Sequence, residues 1–245
     1  MAEPTKQRLD TELVRRGLVA TRSQAESYIR LGHVTVNGKV PKPLKPGYMV
    51  EQTDSIKITV AEQYVSRAAL KLASVSDALY IQYAGKTVLD VGSSTGGFTE
   101  YALKHGASKV IAVELGTDQL HPSLRQNKQI ELHEKTDIRT FKTNQKIDLV
   151  LADVSFISLR EILPSVSRLC SADTRLAIMV KPQFEAAQSS LKHKGVIKND
   201  KMRRDILKDF EQWALQHFQI LNKADSDVSG SKGNKERFYM LKKLA

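Results

Sequence analysis

The chain has 245 residues, with 38 Lys and Arg against 27 Asp and Glu for a formal net charge of +11, 41% hydrophobic residues, 13 Gly and 7 Pro. Such a length and composition fit one large or two modest domains with a real core and exclude a disordered or collagen-like chain. No run approaches the roughly 18 uninterrupted apolar residues of a membrane-spanning helix, and MAEPTKQRLD leads into no signal-like apolar segment. A cytoplasmic address is therefore expected, and the positive surplus favours a polyanionic partner. The single cysteine, Cys170, can form neither an intrachain disulfide nor a multi-cysteine zinc site, so it is expected in the core.

In chain order, RLDTELVRRG over residues 8–17 reads as a short helix, with Leu9 and Leu13 on one face and Gly17 as the left-handed residue that ends it. Thr21 or Ser23 then caps a second helix that carries Ala25 and Ile29 and stops at Gly32. VTVNGKV alternates around Asn37-Gly38, a dipeptide that tolerates positive φ at both positions, and predicts a tight hairpin. SIKITV over 55–60 adds a strand. The first sixty residues are thus expected to form a small α+β module, with Arg8, Arg15, Arg16, Arg22 and Arg30 available to a phosphate backbone. RLD, LVRRG, TRSQAESYIRLGHV and the closing VNGK resemble the RNA-binding module typified by ribosomal small-subunit protein four. That resemblance implies an RNA partner for residues 6–60.

From Tyr64 onward, strand-like and helix-like segments alternate, as in a parallel sheet with helices on both faces. TVLDVG (87–92), KVIAVEL (109–115), IDLVLAD (147–153) and TRLAIMVKP (174–182) read as apolar strands, with helices over GFTEYALKHG and from Ser158 to Leu169. KMRRDILKDFEQWALQHF (201–218) predicts a long amphipathic helix that turns Ile206, Phe210, Trp213, Ala214 and Phe218 to the sheet. ERFYMLKKL closes as a strand. The linker ITVAEQYVSR joins the two parts, giving expected domains of 6–60 and 61–245.

GSSTGGFT follows the strand TVLDV, and its glycines at 92, 96 and 97 would let the backbone approach a ligand at the carboxyl edge of the sheet. The dinucleotide G-x-G-x-x-G pattern is absent, and no Lys follows the glycines as a nucleotide-hydrolase loop requires. Glu114 ends the next strand, where a carboxylate can accept hydrogen bonds from both ribose hydroxyls. LDVGSSTGGFT with Glu114 resembles the Rossmann-like methyltransferases. The resemblance implies an S-adenosylmethionine site made by Asp90, Gly92, Ser94, Gly96, Gly97, Phe98, Glu114, Asp153 and the adenine-side acid Asp137.

Lys71 in SRAALKL, Asp153 in LADVSF, Lys181 in VKPQFE and Glu236 in GNKERF occur in an order similar to that of the FtsJ-like ribose 2′-O-methyltransferases. A ribose hydroxyl is a poor nucleophile, so it must be held in line with the methyl carbon and relieved of its proton as the bond forms. A partly desolvated amine beside positive charge surrenders its proton more readily, which makes Lys181 the expected base. Lys71 and Glu236 would orient Lys181 and the ribose, with Asp153 positioning Lys181 or lying near the donor methyl. No metal is expected, because His33, His105, His121, His133, His193 and His217 show no ligand spacing. Residues 6–243 together resemble the TlyA family, which implies an α/β enzyme acting on ribosomal RNA or ribosomal subunits. Two alternatives come from other classes: a non-catalytic ribosome assembly factor, and a membrane-active haemolysin.

Overall fold

A computed structural model describes residues 6–19, 21–59, 64–186, 195–197, 199–230 and 233–244. The chain divides into two compact units, Met1–Arg67 and Ala68–Ala245. Part of the expected linker, residues 60–63, lies outside the described residues.

In the first unit β1 (Gln7–Arg8) leads directly into α1 (Leu9–Arg15), and α2 (Arg22–Arg30) follows. The Thr21 hydroxyl accepts a hydrogen bond from the Gln24 amide at 3.2 Å and caps α2. Gly17 and Gly32 take positive φ after the two helices. Leu9, Leu13, Ala25, Tyr28 and Ile29 are fully buried where α1 meets α2, and Val34 of β2 (Val34–Val36) and Val50 of β3 (Met49–Val50) are buried as well. β1 pairs antiparallel with β3, and β2 pairs antiparallel with β4 (Ile56–Ile58).

The expected hairpin is only half present. Asn37 and Gly38 make the tight turn, with hydrogen bonds in both directions between Val36 and Lys39. The chain then leaves, because Pro41 has no N–H to continue a ladder, and β2 finds its partner in β4.

The second unit runs α3 (Arg67–Ser76), β5 (Thr87–Val91), α4 (Gly97–Lys104), β6 (Lys109–Val113), α5 (Pro122–Arg125) and β7 (Ile130–His133). It continues through β8 (Leu149–Ala152), α6 (Leu159–Leu169), β9 (Arg175–Val180), α7 (Pro182–Glu185), α8 (Asp200–Ala214), β10 (Phe218–Asp225) and β11 (Arg237–Lys243). One sheet takes these strands in the order β10-β11-β9-β8-β5-β6-β7. The five strands from β9 to β7 are parallel, while β11 is antiparallel to both of its neighbours. The chain builds outward from β5 in both directions, so a topological switch point opens at the carboxyl ends of β5, β6 and β8.

Both faces are covered. Alternate strand residues such as Leu89, Ile111, Val150 and Ile178 join Leu163 of α6 and Phe210 of α8 in one core, which also buries Cys170. Burial pushes the Cys170 thiol up to about 11, so this cysteine is packing material rather than a nucleophile. On the opposite face Phe98 of α4 packs against Phe238 with ring centroids 6.0 Å apart.

The long helix expected over 201–218 ends at Ala214, and Phe218 reaches the core as the first residue of β10. After the buried Phe218, half-buried and exposed positions alternate with period two, the pattern of an antiparallel edge strand. Ile206 packs with Ala186 and Ile197 in a separate small cluster. Among the described residues no helix is long and apolar enough to cross a membrane.

Candidate active site and arginine cluster

The carboxyl ends of β5, β6 and β8 border a cavity of about 800 Å³. Its floor is the turn after β5. Gly92 has φ +78°, and a Cβ there would stand 2.8 Å from the Asp153 carbonyl oxygen, so the turn closes only with glycine. Ser94, the next lining residue, also has positive φ. Glu114 leaves the end of β6 and uses both carboxylate oxygens, Oε2 accepting from the Ser94 amide at 2.9 Å and Oε1 from the Gly116 amide at 2.7 Å. Asp137 stands in the wall, gripped by the Arg139 guanidinium at 2.6 to 3.0 Å, which holds its carboxyl below the usual carboxylate range. Asp153 and the segment Val154–Ile157 form another part of the wall.

The expected cofactor residues therefore separate into two layers. Gly92, Ser94, Glu114, Asp137 and Asp153 line the cavity. Asp90, Gly96, Gly97 and Phe98 lie behind it, because α4 starts there and turns its first residues to the sheet. Gly96, at φ +91°, is the N-cap of α4, and a Cβ on it would run into Leu120 and Leu124. Arg139, Ser155 and Phe156 line the cavity too, with no motif of their own in the sequence. The last two sit just beyond the strand end at Asp153, and that position was their only signal.

Asp90 is fully buried beneath the turn. Its Oδ2 accepts the Thr99 hydroxyl at 2.6 Å, and its Oδ1 has no hydrogen-bond partner among the described residues. Burial, reinforced by the charges of Asp153 and Glu114, pushes its pKa up to about 7 against the Thr99 hydrogen bond. A carboxyl raised above its unfolded value contributes stability that is complete below the unfolded pKa and lost as pH rises through the folded one. Asp90→Asn removes that dependence. Its stability advantage over the wild type should grow by about 3 kcal/mol between pH 5 and pH 8, or roughly 6–12 °C in Tm. Thermal melts at the two pH values check this, and an equal difference at both would mean that Asp90 does not change charge in that range.

Two lysine–carboxylate pairs stand at this end of the sheet, one of them sharing Asp153 with the cavity. Lys181, at the end of β9, places Nζ 2.5 Å from Asp153 Oδ1 and donates to Ser155 Oγ at 2.8 Å. Lys71 on α3 pairs with Glu236, both side chains being almost fully buried. The antiparallel register of β9 and β11 sets Arg237 opposite Val180, so Glu236 and Lys181 follow at the same end of the sheet. Gly230 lies close against this pair, where a Cβ would stand 2.8 Å from Glu236 Oε1. Four residues far apart in sequence thus meet as two ion pairs at one edge.

In the first unit, two buried acids that the sequence did not reveal organise the arginines. Asp10 accepts Arg8 through both oxygens at 3.0 and 2.8 Å and Arg22 Nε at 2.8 Å. Glu12 accepts Arg15 at 2.7 and 2.6 Å and Arg16 Nε at 2.7 Å. The Arg15 hydrogen bonds, helped by Arg16 against the cost of burial, pull the Glu12 carboxyl down to about 2. Arg8, Arg15 and Arg22 remain exposed beyond these anchors, and Arg30 is exposed. Arg16 differs, because it is half-buried and donates to the carbonyls of Asp54 at 2.6 Å and Gln52 at 3.0 Å. Its guanidinium ties α1 to the turn before β4.

Residues 64–243 match the FtsJ-like methyltransferase family, and residues 7–56 match the S4 domain. The 23S rRNA (cytidine-2′-O)-methyltransferase TlyA of Campylobacter jejuni is 42% identical over 76% of this chain and 74% of its own length. The 16S/23S rRNA (cytidine-2′-O)-methyltransferase TlyA of Mycobacterium tuberculosis is 36% identical over 96% of this chain and 89% of its own. A solved structure from Streptococcus thermophilus that carries a hemolysin name superimposes with a TM-score of 0.71 at 31% identity, covering 99% of this chain and 90% of that one. With a switch-point cavity, two strand-end lysine pairs and these relatives, the chain belongs to the TlyA family of FtsJ-like methyltransferases, with an S4 domain preceding the catalytic fold.

Proposed function

We propose that this protein transfers a methyl group from S-adenosylmethionine to a ribose 2′-hydroxyl of ribosomal RNA, with residues 6–60 holding RNA and residues 61–245 carrying out the chemistry in the cytoplasm. The observation that carries this reading is the meeting of the cavity and the Lys181–Asp153 pair, since Asp153 belongs to both. The cavity suits the proposed cofactor: the Gly92 turn allows close backbone approach, and Glu114 at the strand end keeps lone pairs for a ribose diol. When bound, S-adenosylmethionine supplies an electrophilic methyl group on a sulfonium, which departs as a neutral thioether.

The chain's own residues supply orientation and proton removal. Lys181 Nζ pairs with Asp153 Oδ1 at 2.5 Å and donates to Ser155 Oγ, so the amine is held at the edge that Asp153 shares with the cavity. From there it is placed to meet the ribose oxygen. Once neutral, the amine takes the 2′-hydroxyl proton as the oxygen–carbon bond forms. Lys71, fixed by Glu236, places a second donor at the same edge to hold the ribose in line. A hemolysin name among the relatives adds no membrane-directed feature to this chain.

The test is transfer of labelled methyl from S-adenosylmethionine to ribosomal subunits that lack the modification, followed by alkaline hydrolysis of the RNA. Alkaline cleavage needs a free 2′-hydroxyl, so the label is expected in a hydrolysis-resistant dinucleotide, and the relatives' names make a cytidine the first nucleotide to examine. Label on a base would overturn ribose methylation. No label at all would favour an RNA-binding assembly factor.

A further inference from the structure

Two segments at the catalytic edge are fastened together twice. One runs from Asp153 to Leu159, where the chain leaves β8, forms the cavity wall and enters α6; the other runs from Lys181 to Glu185, where it leaves β9 and makes the single turn α7. At the near end Lys181 holds Asp153 and Ser155. At the far end Glu185 Oε1 accepts the Leu159 amide at 2.7 Å, and Oε2 accepts the Ser158 hydroxyl at 2.6 Å.

Glu185 is 1% exposed. The first amides of a helix have no partner within it and attract negative charge, and here a carboxylate from another segment answers them. Ser158 caps the same helix by accepting the Arg160 amide at 3.2 Å. Arg160 Nε lies 3.5 Å from Glu185 Oε2, and its Nη2 donates to Asp209 of α8 at 2.7 Å, so the clamp is backed from a third element. Burial raises the Glu185 carboxyl above its ordinary range despite these partners, the sign of a costly group. Packing alone would be served as well by an apolar side chain. What a carboxylate adds is direction: two bonds of fixed geometry, delivered one helical turn after Lys181 and linked to it through the Phe184 amide on the Lys181 carbonyl at 2.9 Å.

We infer that Glu185 is a positioning residue for methyl transfer, locking the wall segment 154–157 to the turn that carries Lys181. The inference rests on the proposed reaction. Without the clamp, Lys181 keeps its chemistry but loses its fixed place between Ser155, Asp153 and the donor cavity.

The test compares the full-length wild type with Glu185→Gln and Ser158→Ala, using unmodified ribosomal subunits and S-adenosylmethionine. Glu185→Gln keeps one acceptor and the side-chain volume, and melting curves establish the folded fraction. Expected for the folded fraction is a fall in kcat on the order of 10-fold with KM for RNA nearly unchanged, because alignment rather than binding is lost. The acid limb of the kcat–pH profile should also move, and Ser158→Ala should shift both readouts in the same direction by less. A Glu185→Gln protein that melts earlier but keeps the wild-type kcat and pH profile would show that Glu185 only stabilises the fold. If the wild type itself transfers no methyl, the reaction reading fails and this inference falls with it.

Discussion

Lys181→Ala is expected to bind S-adenosylmethionine nearly as well as the wild type and to transfer methyl groups slower by about 10²- to 10⁴-fold, the usual cost of losing a general base. Alanine also strands the Asp153 carboxylate, which is 15% exposed and then lacks its cation, so some thermal stability should be lost with the activity. Lys181→Arg separates the two effects. Arginine restores a positive partner for Asp153 but stays protonated at any working pH, so it can pair without acting as a base. The expected pattern is therefore a melting temperature close to wild type for Lys181→Arg, a lower one for Lys181→Ala, and turnover lost in both. Single-turnover transfer of labelled methyl, with donor calorimetry on the same preparations, measures all three quantities. Turnover by Lys181→Arg would show that charge alone suffices and that the proton leaves by another route.

The parts of this molecule that were legible in its sequence are those whose signals are local. β5, β6, β8 and β9 are buried on both faces and read as largely apolar runs, interrupted in β5 by Asp90, so the sheet centre and its carboxyl edge could be placed, and with them Asp153, Lys181 and Glu114. Thr21, Gly17 and Gly32 act through backbone geometry within a turn of where they stand. Edge strands carry a weaker signal. Every residue of β7 is half-buried, and Phe218 fits the end of a helix as well as the start of β10. Least legible were buried acids whose partners lie elsewhere. Asp10 and Glu12 resemble ordinary charges on a surface helix until the fold closes arginines over them. Glu185 is the same case across 26 residues of chain.

Those buried acids change what the arginine cluster should do in an RNA-binding experiment. Arg8, Arg15 and Arg22 are held by Asp10 and Glu12 yet remain exposed, so their guanidinium orientation is set before RNA arrives and little side-chain entropy is lost on binding. Arg16 spends its donors on Glu12 and on the 51–54 turn. Replacing Arg15, Arg22 and Arg30 together with alanine should therefore flatten the slope of log affinity against log salt by roughly 2 to 3, at 0.7 to 0.9 for each lost phosphate contact. Affinity for S-adenosylmethionine should be unchanged. Arg16→Ala should lower the melting temperature while leaving the slope of the folded fraction within one contact of wild type. Salt titrations of RNA binding by the full-length proteins, paired with melting curves, separate the two classes of arginine. A triple variant with the wild-type slope would place the phosphate contacts outside this cluster and leave the S4 domain to recognise RNA by shape. A steep loss of slope in Arg16→Ala alone would mean that its guanidinium exchanges carbonyl partners for phosphate when RNA binds.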